Sequence, residues 1–253
     1  MNKKFVKRWA IGIGVVLAYA IMWNVAQVDL IRLWQGIPRM LNWLSRSWPP
    51  DITEVSTFLL RALETISIAT LGTTVAAICA LPLAFLAARN IHSNRLVYQI
   101  TRSILNILRG TDSFVFALIL VAAVGLGPFA GMLGVAIHTT GSMAKMFAEW
   151  MENSDQTFLE ALHASGVSKS KTIVYALLPN AWPNFTSIAL YFWEFNVRAS
   201  TVLGIVGAGG IGMELKNSMD LLNFSRLFMI LLIIWGMVTI IDQLSASLQR
   251  RLQ

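Results

Sequence analysis

Long apolar runs with few charged residues are the feature that most limits how this chain can fold. Such runs recur at about residues 9–28, 66–88, 113–126, 129–147, 183–206 and 227–241. A helix needs roughly 20 mostly apolar residues to cross the hydrocarbon core of a bilayer. We therefore predict an all-α integral membrane protein with about six transmembrane helices.

The composition argues against a soluble domain and against nucleic-acid binding. Hydrophobic residues make up 56% of the chain and charged residues 13%, whereas a typical soluble domain has about 25% charged residues. The net charge of +7 comes from basic residues in short clusters between the apolar runs. That placement follows the positive-inside rule of membrane proteins rather than the pattern of a phosphate-reading surface. We expect membrane lipid as a partner and no nucleic acid.

The positions of lysine and arginine predict the orientation in the bilayer. Six crossings place both termini on one side. If that side is cytoplasmic, 13 of the 20 basic residues fall in inner segments and four in outer loops. An excess of basic residues marks the cytoplasmic side. We predict a multi-pass protein of the bacterial inner membrane with both termini, and the polar stretch 149–182, in the cytoplasm.

The first apolar run follows a basic cluster, as the core of a signal peptide does. It continues beyond the 7–15 residues of a typical signal core, so an uncleaved anchor is the favoured interpretation. Residues 1–54 then form an N-terminal transmembrane anchor and an external loop. Residues 55–245 form the main transmembrane domain, and residues 246–253 form a cytoplasmic tail.

The polar stretch 149–182, named here the coupling loop, contains a spaced motif, which reads Glu160-Ala161-Leu162, then Gly166, then Leu178-Pro179. Gly166 permits a turn or a close backbone approach. The segment Lys169 to Leu178 is amphipathic, and we predict that its helix ends at Pro179. A short helix-turn-helix of this kind can dock into a groove of a partner protein and transmit the partner's movement to the adjoining spans.

This spacing resembles the EAA loop of ATP-binding-cassette (ABC) importer permeases. The match holds at Glu160, Ala161, Gly166, Leu178 and Pro179, and it departs at Leu162 and Ala176, where Ala and Ile are usual. Residues 124–131, 137–141 and 196–212 also resemble the phosphonate-uptake permeases of this family, the PhnE type. The likeness covers about residues 55–245.

The resemblance implies a type I (MetI-like) permease fold that translocates phosphonate, phosphite or phosphate by alternating access. It also implies a homodimer that binds two ABC ATPase subunits through the EAA loop and receives substrate from a periplasmic binding protein. The chain has no G-x-x-x-x-G-K-[ST] phosphate loop. We therefore expect ATP and Mg²⁺ on the partner ATPase and no cofactor on this chain.

Charged and polar residues inside the predicted spans are candidates for a substrate pathway. Arg198 lies deep in the fifth run, where an isolated charge costs about 2.5–3.5 kcal/mol, and Glu194 lies one turn earlier on the same helical face. The pair either locks helices together or faces a water-filled path, in which the arginine attracts an oxyanion. The other candidates for the pathway are Asn196, Ser200, Thr201, His138 and Thr139.

Two further features have less specific interpretations. Arg109 and Asp112, at the inner end of the third run, are expected to form a structural ion pair rather than a gate. The stretch 207–212 satisfies the dinucleotide fingerprint G-x-G-x-x-G, but that fingerprint has meaning only inside a βαβ unit. We expect a flexible bend there instead.

Two rival classes of function remain as alternatives. An intramembrane enzyme acting on lipid phosphates needs converging catalytic groups or metal ligands, but the histidines are scattered and the single cysteine, Cys79, has no partner set. We predict no metal site and no catalytic residues. A proton-driven secondary carrier is the other alternative, and the absence of an inverted repeat from the sequence argues against it.

Overall fold

The computed structural model describes residues 3–91, 94–154 and 167–252. The described residues form helices with short connections and no strand, as the sequence predicts. The chain divides into two compact units, Met1–Trp48 and Pro49–Gln253.

The first unit consists of two helices, α1 (Lys3–Val25) and α2 (Leu30–Arg46). All side chains of residues 11–25 are exposed, so the apolar side chains of this stretch have no protein core and are suited to lipid. Asp29 begins α2 by accepting hydrogen bonds from the backbone N–H groups of Ile31 and Arg32.

The sequence analysis predicts an external loop after the first apolar run, but the stretch Leu30–Arg46 forms the helix α2 instead. This helix is strongly amphipathic. Polar residues lower its mean hydropathy and hide it from a search for uniformly apolar runs, although their helical spacing is a recognisable signal.

The second unit begins with a long helix and continues through helices of very different lengths. Its elements are α3 (Val55–Ala87), α4 (Arg95–Gly110), α5 (Ser113–Val124), α6 (Pro128–Asn153), α7 (Lys169–Thr172), a π turn (Ile173–Leu177), α8 (Leu178–Leu203), a 3₁₀ turn (Gly204–Val206), α9 (Ile211–Asp220) and α10 (Phe224–Leu252).

Helices α3 and α6 pack closely together at the centre of this unit, and α3 also packs against α8 and α10. A Cβ added at Gly72 of α3 would lie 2.9 Å from Cγ1 of Val135 on α6. Ala76, Ala80 and Ala84 of α3 are fully buried. Small residues of this kind let helix backbones approach closely in membrane proteins, where packing replaces the hydrophobic effect as the source of association.

Two helices, Val55–Ala87 and Phe224–Arg251, are each long and apolar enough to cross a membrane. Two bent pairs would each add a span, Ile11–Val25 with Leu30–Arg46 at 46° and Arg95–Gly110 with Ser113–Val124 at 88°. Helices α6 and α8, predicted as the fourth and fifth spans, have 26 residues each and are thus about 39 Å long. Their polar residues keep them below the hydropathy of the other two.

Helix α4 occupies an arginine-bearing stretch that the sequence analysis did not assign to a helix. Leu96, Ile100 and Ile104 form an exposed apolar stripe, whereas Thr101 and Leu105 on the opposite face are buried. The helix is amphipathic, and its periodic pattern is the signal that a search for apolar runs misses.

The Gly-rich segment, residues 204–212, is fixed in place rather than being the predicted flexible bend. The N–H of Gly210 donates to Oε1 of Glu64 at 3.1 Å, and the N–H of Ile211 donates to Oγ1 of Thr65 at 2.9 Å. Gly207, Gly209 and Gly210 have φ angles of 83°, 79° and 75°, a backbone conformation that only glycine adopts readily. The glycines therefore allow the backbone to form a tight, largely buried turn.

Candidate functional site

The motif residues of the predicted coupling loop are only partly within the described structure. Glu160, Ala161 and Gly166 lie outside the described residues. Leu178 and Pro179 are described and belong to the first turn of α8, where Leu178 packs against a buried apolar cluster and Pro179 is exposed. The helix-turn-helix shape of the loop therefore stays a prediction.

The predicted helix end at Pro179 is wrong, because helical structure continues from Lys169 to Leu203. Proline in a helix removes one hydrogen bond and crowds the preceding turn. The chain widens into a π turn, Ile173–Leu177, directly before the proline, and such bulges absorb a local interruption of the hydrogen-bond ladder. As a consequence, the end of the motif is joined without a break to the helix that carries Arg198.

Arg198 and Glu194 form the predicted ion pair on α8. The arginine side chain is nevertheless 51% exposed. It belongs to an exposed stripe on one face of the helix, made by Tyr191, Phe195, Arg198 and Val202. A charge on such a face is costly against lipid, so this stripe is suited to contact with water or with another protein surface.

Asn196 and Thr139 lie on the buried side of the same region. Asn196 Nδ2 donates to Oγ1 of Thr73 at 2.8 Å and to Oγ1 of Thr139 at 3.0 Å. Asn196 and Thr139 are fully buried. This polar triad joins α3, α6 and α8, an arrangement that holds helices together inside a membrane protein.

The remaining α8 candidates differ in their surroundings. Ser200 is fully buried, and its Oγ has no hydrogen-bond partner in the described residues. Thr201 is half-buried and donates to the carbonyl oxygen of Arg198 at 2.7 Å, as hydroxyls in helices commonly do. The structure therefore does not bring the five polar residues of α8 to one surface.

His138 lies at a cavity between α6 and α8 that the sequence did not predict, named here the α6–α8 cavity. Its volume is about 580 Å³. Its polar lining residues are Arg109, His138, Ser142 and Glu149. Its apolar lining residues are Met146, Tyr191, Phe192 and Phe195. The cavity thus combines a basic region, an acidic residue and an aromatic wall.

Arg109 is the lining residue whose role the sequence analysis missed. The predicted pair with Asp112 is not present, because Asp112 instead caps α5 by accepting a hydrogen bond from the N–H of Phe114 at 2.8 Å. Within the described residues, the guanidinium of Arg109 has no carboxylate within 4.0 Å. An aspartate directly before an apolar helix is a recognisable capping signal. This signal would have predicted that Asp112 caps α5 and does not pair with Arg109.

A second group of charges surrounds the Gly-rich segment and is named here the ion network. Arg61 contacts Glu64 at 2.8 Å and Glu214 at 3.5 Å. Arg226 contacts Glu214 at 2.9 Å and Glu54 at 2.8 Å. The network joins α3, α9 and α10, and through Glu64 it also holds the backbone of the Gly-rich segment.

Within the described part of the chain, no three His, Cys, Asp or Glu side chains are grouped in a way that could hold a metal ion. Cys79 is exposed. Two of the three histidines, His92 and His163, lie outside the described residues.

Solved structures with a similar fold come from ABC transporters. The methionine transporter MetNI in an inward-facing conformation aligns with a TM-score of 0.68 at 18% identity, covering 80% of this chain and 99% of that chain. A transporter that imports alginate aligns with a TM-score of 0.62 at 13% identity, covering 98% of each chain. The fold is therefore that of the permease subunits of these importers, as predicted.

Relatives with closer sequences are transport permeases. HtxC of Stutzerimonas stutzeri, provisionally named a phosphite transport system permease protein, is 44% identical over 96% of this chain and 86% of its own length. PtxC of the same species, a phosphite transport system permease protein, is 37% identical over 95% of this chain and 87% of its own length. The phosphate-import permease protein PhnE of Mycolicibacterium smegmatis is 34% identical over 85% of this chain and 40% of its own length.

A family model described as the inner membrane component of binding-protein-dependent transport systems matches residues 80–253, which is most of the chain. The match includes α6, α8, the α6–α8 cavity and the predicted coupling loop. This chain therefore belongs to the family of inner membrane components of binding-protein-dependent transport systems.

Proposed function

We propose that this chain forms the membrane path of an ABC importer for phosphite or a closely related phosphorus oxyanion, phosphonate or phosphate. The observation that carries the proposal is the 44% and 37% identity, over nearly the whole chain, to permeases whose names assign them to phosphite transport. Membership in a transport family also sets aside the alternative of a membrane enzyme.

The family implies which kinds of partner protein this chain works with, and the proposal adds their number and arrangement. A binding-protein-dependent permease works with an ATPase and a substrate-binding protein. In the proposed assembly two copies of this chain form a homodimer, bind two ATPase subunits in the cytoplasm and receive substrate from a periplasmic protein. The basic residues between the apolar runs support an orientation with both termini in the cytoplasm.

The homodimer is supported by the exposed stripe on α8. Arg198 is half exposed on a membrane-length helix, and a second copy with water between the two is a surface that tolerates the charge better than lipid does. Two differently tagged copies of the chain, expressed together with the ATPase, should purify as one complex. Recovery of only one tag in the purified complex would contradict the homodimer.

The importer proposal is tested by reconstituting this chain, its ATPase and its binding protein in proteoliposomes. Labelled phosphite outside the vesicles should accumulate inside when ATP is present in the compartment of the ATPase, and not with a non-hydrolysable analogue. Unlabelled phosphonate and phosphate, added in turn as competitors, should reveal the order of preference. ATP hydrolysis without accumulation of any of the three oxyanions would contradict the proposal.

Coupling is assigned to the Glu160–Pro179 segment. Movement of a docked ATPase would pass from this segment to α8 because helical structure runs from Lys169 to Leu203 without a break. Glu160→Ala or Gly166→Pro should allow membrane insertion and ATP hydrolysis but remove uptake. The control Asp220→Asn changes an exposed acid on α9 and should leave uptake intact. Uptake at the wild-type rate in both loop variants would count heavily against the assignment of coupling to this segment.

The pair on α8 is assigned to the pathway. Arg198→Ala combined with Glu194→Gln removes both charges together, so no unpaired charge remains to unfold the helix bundle. This double variant should assemble with the ATPase and lose uptake. Normal uptake would show that the pair only joins neighbouring turns of α8.

A further inference from the structure

The α6–α8 cavity has a basic end built by two helices that approach each other closely. A Cβ added at Gly141 of α6 would lie 2.8 Å from the backbone nitrogen of Arg109 on α4. One turn further along α6, Nζ of Lys145 donates to Oδ1 of Asn106 at 3.0 Å. These contacts fix the carboxyl end of α4 beside the turn of α6 that carries His138 and Ser142.

We propose that Arg109, His138 and Ser142 form a weak binding site for the phosphorus oxyanion in transit. The inference rests on the proposed function and deepens it by naming the residues that meet the substrate. It adds a second arginine to the pathway proposed above, which already contains Arg198. That guanidinium is occupied by Glu194, whereas Arg109 is neutralised by no described carboxylate.

Arg109 supplies the charge of this site. A guanidinium forms paired, charge-assisted hydrogen bonds with phosphorus oxyanions. An arginine without a carboxylate partner retains these donors for a ligand.

His138 supplies a hydrogen-bonding nitrogen with a defined role. Its Nδ1 lies 2.8 Å from the carbonyl oxygen of Thr111. A carbonyl only accepts, so Nδ1 carries the proton and donates it. In the neutral ring, Nε2 is then an acceptor, which suits the P–O–H group of a singly protonated phosphite, phosphonate or phosphate. Ser142, one turn along the same face of α6, adds a hydroxyl that both donates and accepts.

The opposite end of the cavity is acidic. Glu149 follows His138 by 11 residues on α6, a distance of about 16 Å along the helix axis at 1.5 Å per residue. Its carboxylate repels an anion, so attraction is confined to one end of the cavity. A cavity of about 580 Å³ is also much larger than one oxyanion, which can therefore keep part of its hydration. Both properties favour weak binding and release, as a transport path requires.

The first test measures phosphite uptake by proteoliposomes that contain the complete importer. Arg109→Gln should lower uptake at subsaturating phosphite by about tenfold or more, because a charge-assisted hydrogen bond is lost. The matched control Arg95→Gln removes another exposed arginine of α4 and should stay within about twofold of the wild type. Wild-type uptake by Arg109→Gln would overturn the inference. Failure of the wild-type complex to transport any of phosphite, phosphonate and phosphate would instead overturn the proposed function.

A second test needs neither ATP nor transport and applies even if Arg109→Gln assembles poorly with the ATPase. Tyr191→Cys, in a Cys79→Ser background, places a single thiol at the wall of the cavity. An anionic methanethiosulfonate should label it faster than a cationic one of similar size, and phosphite should slow the anionic reagent. Arg109→Gln should lower the anionic labelling rate by about fivefold and leave the cationic rate no lower. Equal anionic rates with and without Arg109 would contradict the site.

Discussion

Arg61 and Arg226, in the ion network, each contact two carboxylates within 3.5 Å, whereas Arg109, at the α6–α8 cavity, contacts none in the described residues. The two regions use the same residue type in different ways. In the ion network, arginines and glutamates at α3, α9 and α10 neutralise one another. The network also holds the Gly-rich segment through Glu64. At the cavity, the guanidinium of Arg109 lies beside an open volume with no described carboxylate within 4.0 Å.

The difference teaches how to separate structural from functional charges in a membrane protein. A buried charge that loses its partner is strongly destabilising, so residues of the ion network should report on folding. An arginine without a carboxylate partner can be neutralised with little loss of stability, so Arg109 should report on transport. Four substitutions, ordered by the expected change in stability, test this separation.

Glu214→Ala should cause the largest loss of stability. Glu214 is buried and contacts both Arg61 and Arg226. Its removal therefore leaves each of these arginines with one carboxylate partner instead of two. We expect the free energy of unfolding to fall by about 3 kcal/mol, at the lower end for breaking a buried ion pair because Arg61 is partly exposed. Denaturation of the purified protein in detergent micelles measures the change. Asp220→Asn, an exposed acid on the same helix, is the matched control, and an equal effect from it would contradict the role of the network.

Gly141→Ala tests the close approach of α4 to α6. The added Cβ would lie 2.6 Å from Cβ of Leu108 and 2.8 Å from the backbone nitrogen of Arg109. Overpacking of this kind costs about 1–3 kcal/mol, and the shift of α4 should also lower phosphite uptake. Gly236→Ala is the control, since a Cβ there meets nothing within 4 Å. Thermal unfolding midpoints that fall equally in both variants would show that Gly141 is not a packing constraint.

Thr73→Val tests the buried polar triad. Because the triad carries no charge, we expect a smaller loss of stability than in the ion network and a larger one than at Arg109. Valine keeps the shape of threonine but leaves an Asn196 N–H without its acceptor, which costs about 1 kcal/mol. Ser200→Ala removes a buried hydroxyl that has no hydrogen-bond partner among the described residues and should be neutral or slightly stabilising. The two variants are compared by the same micellar denaturation. A larger loss from Ser200→Ala than from Thr73→Val would contradict the assignment of the triad as the link between helices.

Arg109→Gln should have the smallest effect on stability. Arg109 is exposed, and its guanidinium contacts no carboxylate in the described part of the chain, so we expect a change within about 0.5 kcal/mol, typical of surface substitutions. Micellar denaturation alongside Glu214→Ala checks this directly. A loss near that of Glu214→Ala would erase the distinction between the two regions.

Apolar helices and short-range pairs could be predicted from the sequence. The runs of α3 and α10, about residues 66–88 and 227–241, are mostly apolar and carry no charged residue, so the sequence predicts them as spans. The pairing of Glu194 with Arg198 follows from a separation of four residues on a helix. Both features depend on neighbouring residues alone, which is why the sequence suffices for them.

Amphipathic helices and long-range contacts could not be predicted in the same way. Helices α2 and α4 alternate polar and apolar residues and escape a search for apolar runs. The triad joins Asn196 to Thr139 and Thr73, which are 57 and 123 residues away. The separation of Arg109 from Asp112 depends on a competing use of the carboxylate as a helix cap. The partners of the triad are set by packing between helices, whereas the cap at Asp112 is a local contact that competes with the ion pair.

The most direct test compares Arg109→Gln with Glu214→Ala in one preparation, measuring both the unfolding midpoint and phosphite uptake per assembled complex. Arg109→Gln should keep the midpoint and lose uptake by about tenfold. Glu214→Ala should lower the midpoint, while the complexes that remain assembled transport at close to the wild-type rate. Parallel loss of stability and uptake in both variants would contradict the separation of a structural ion network from an oxyanion-binding cavity.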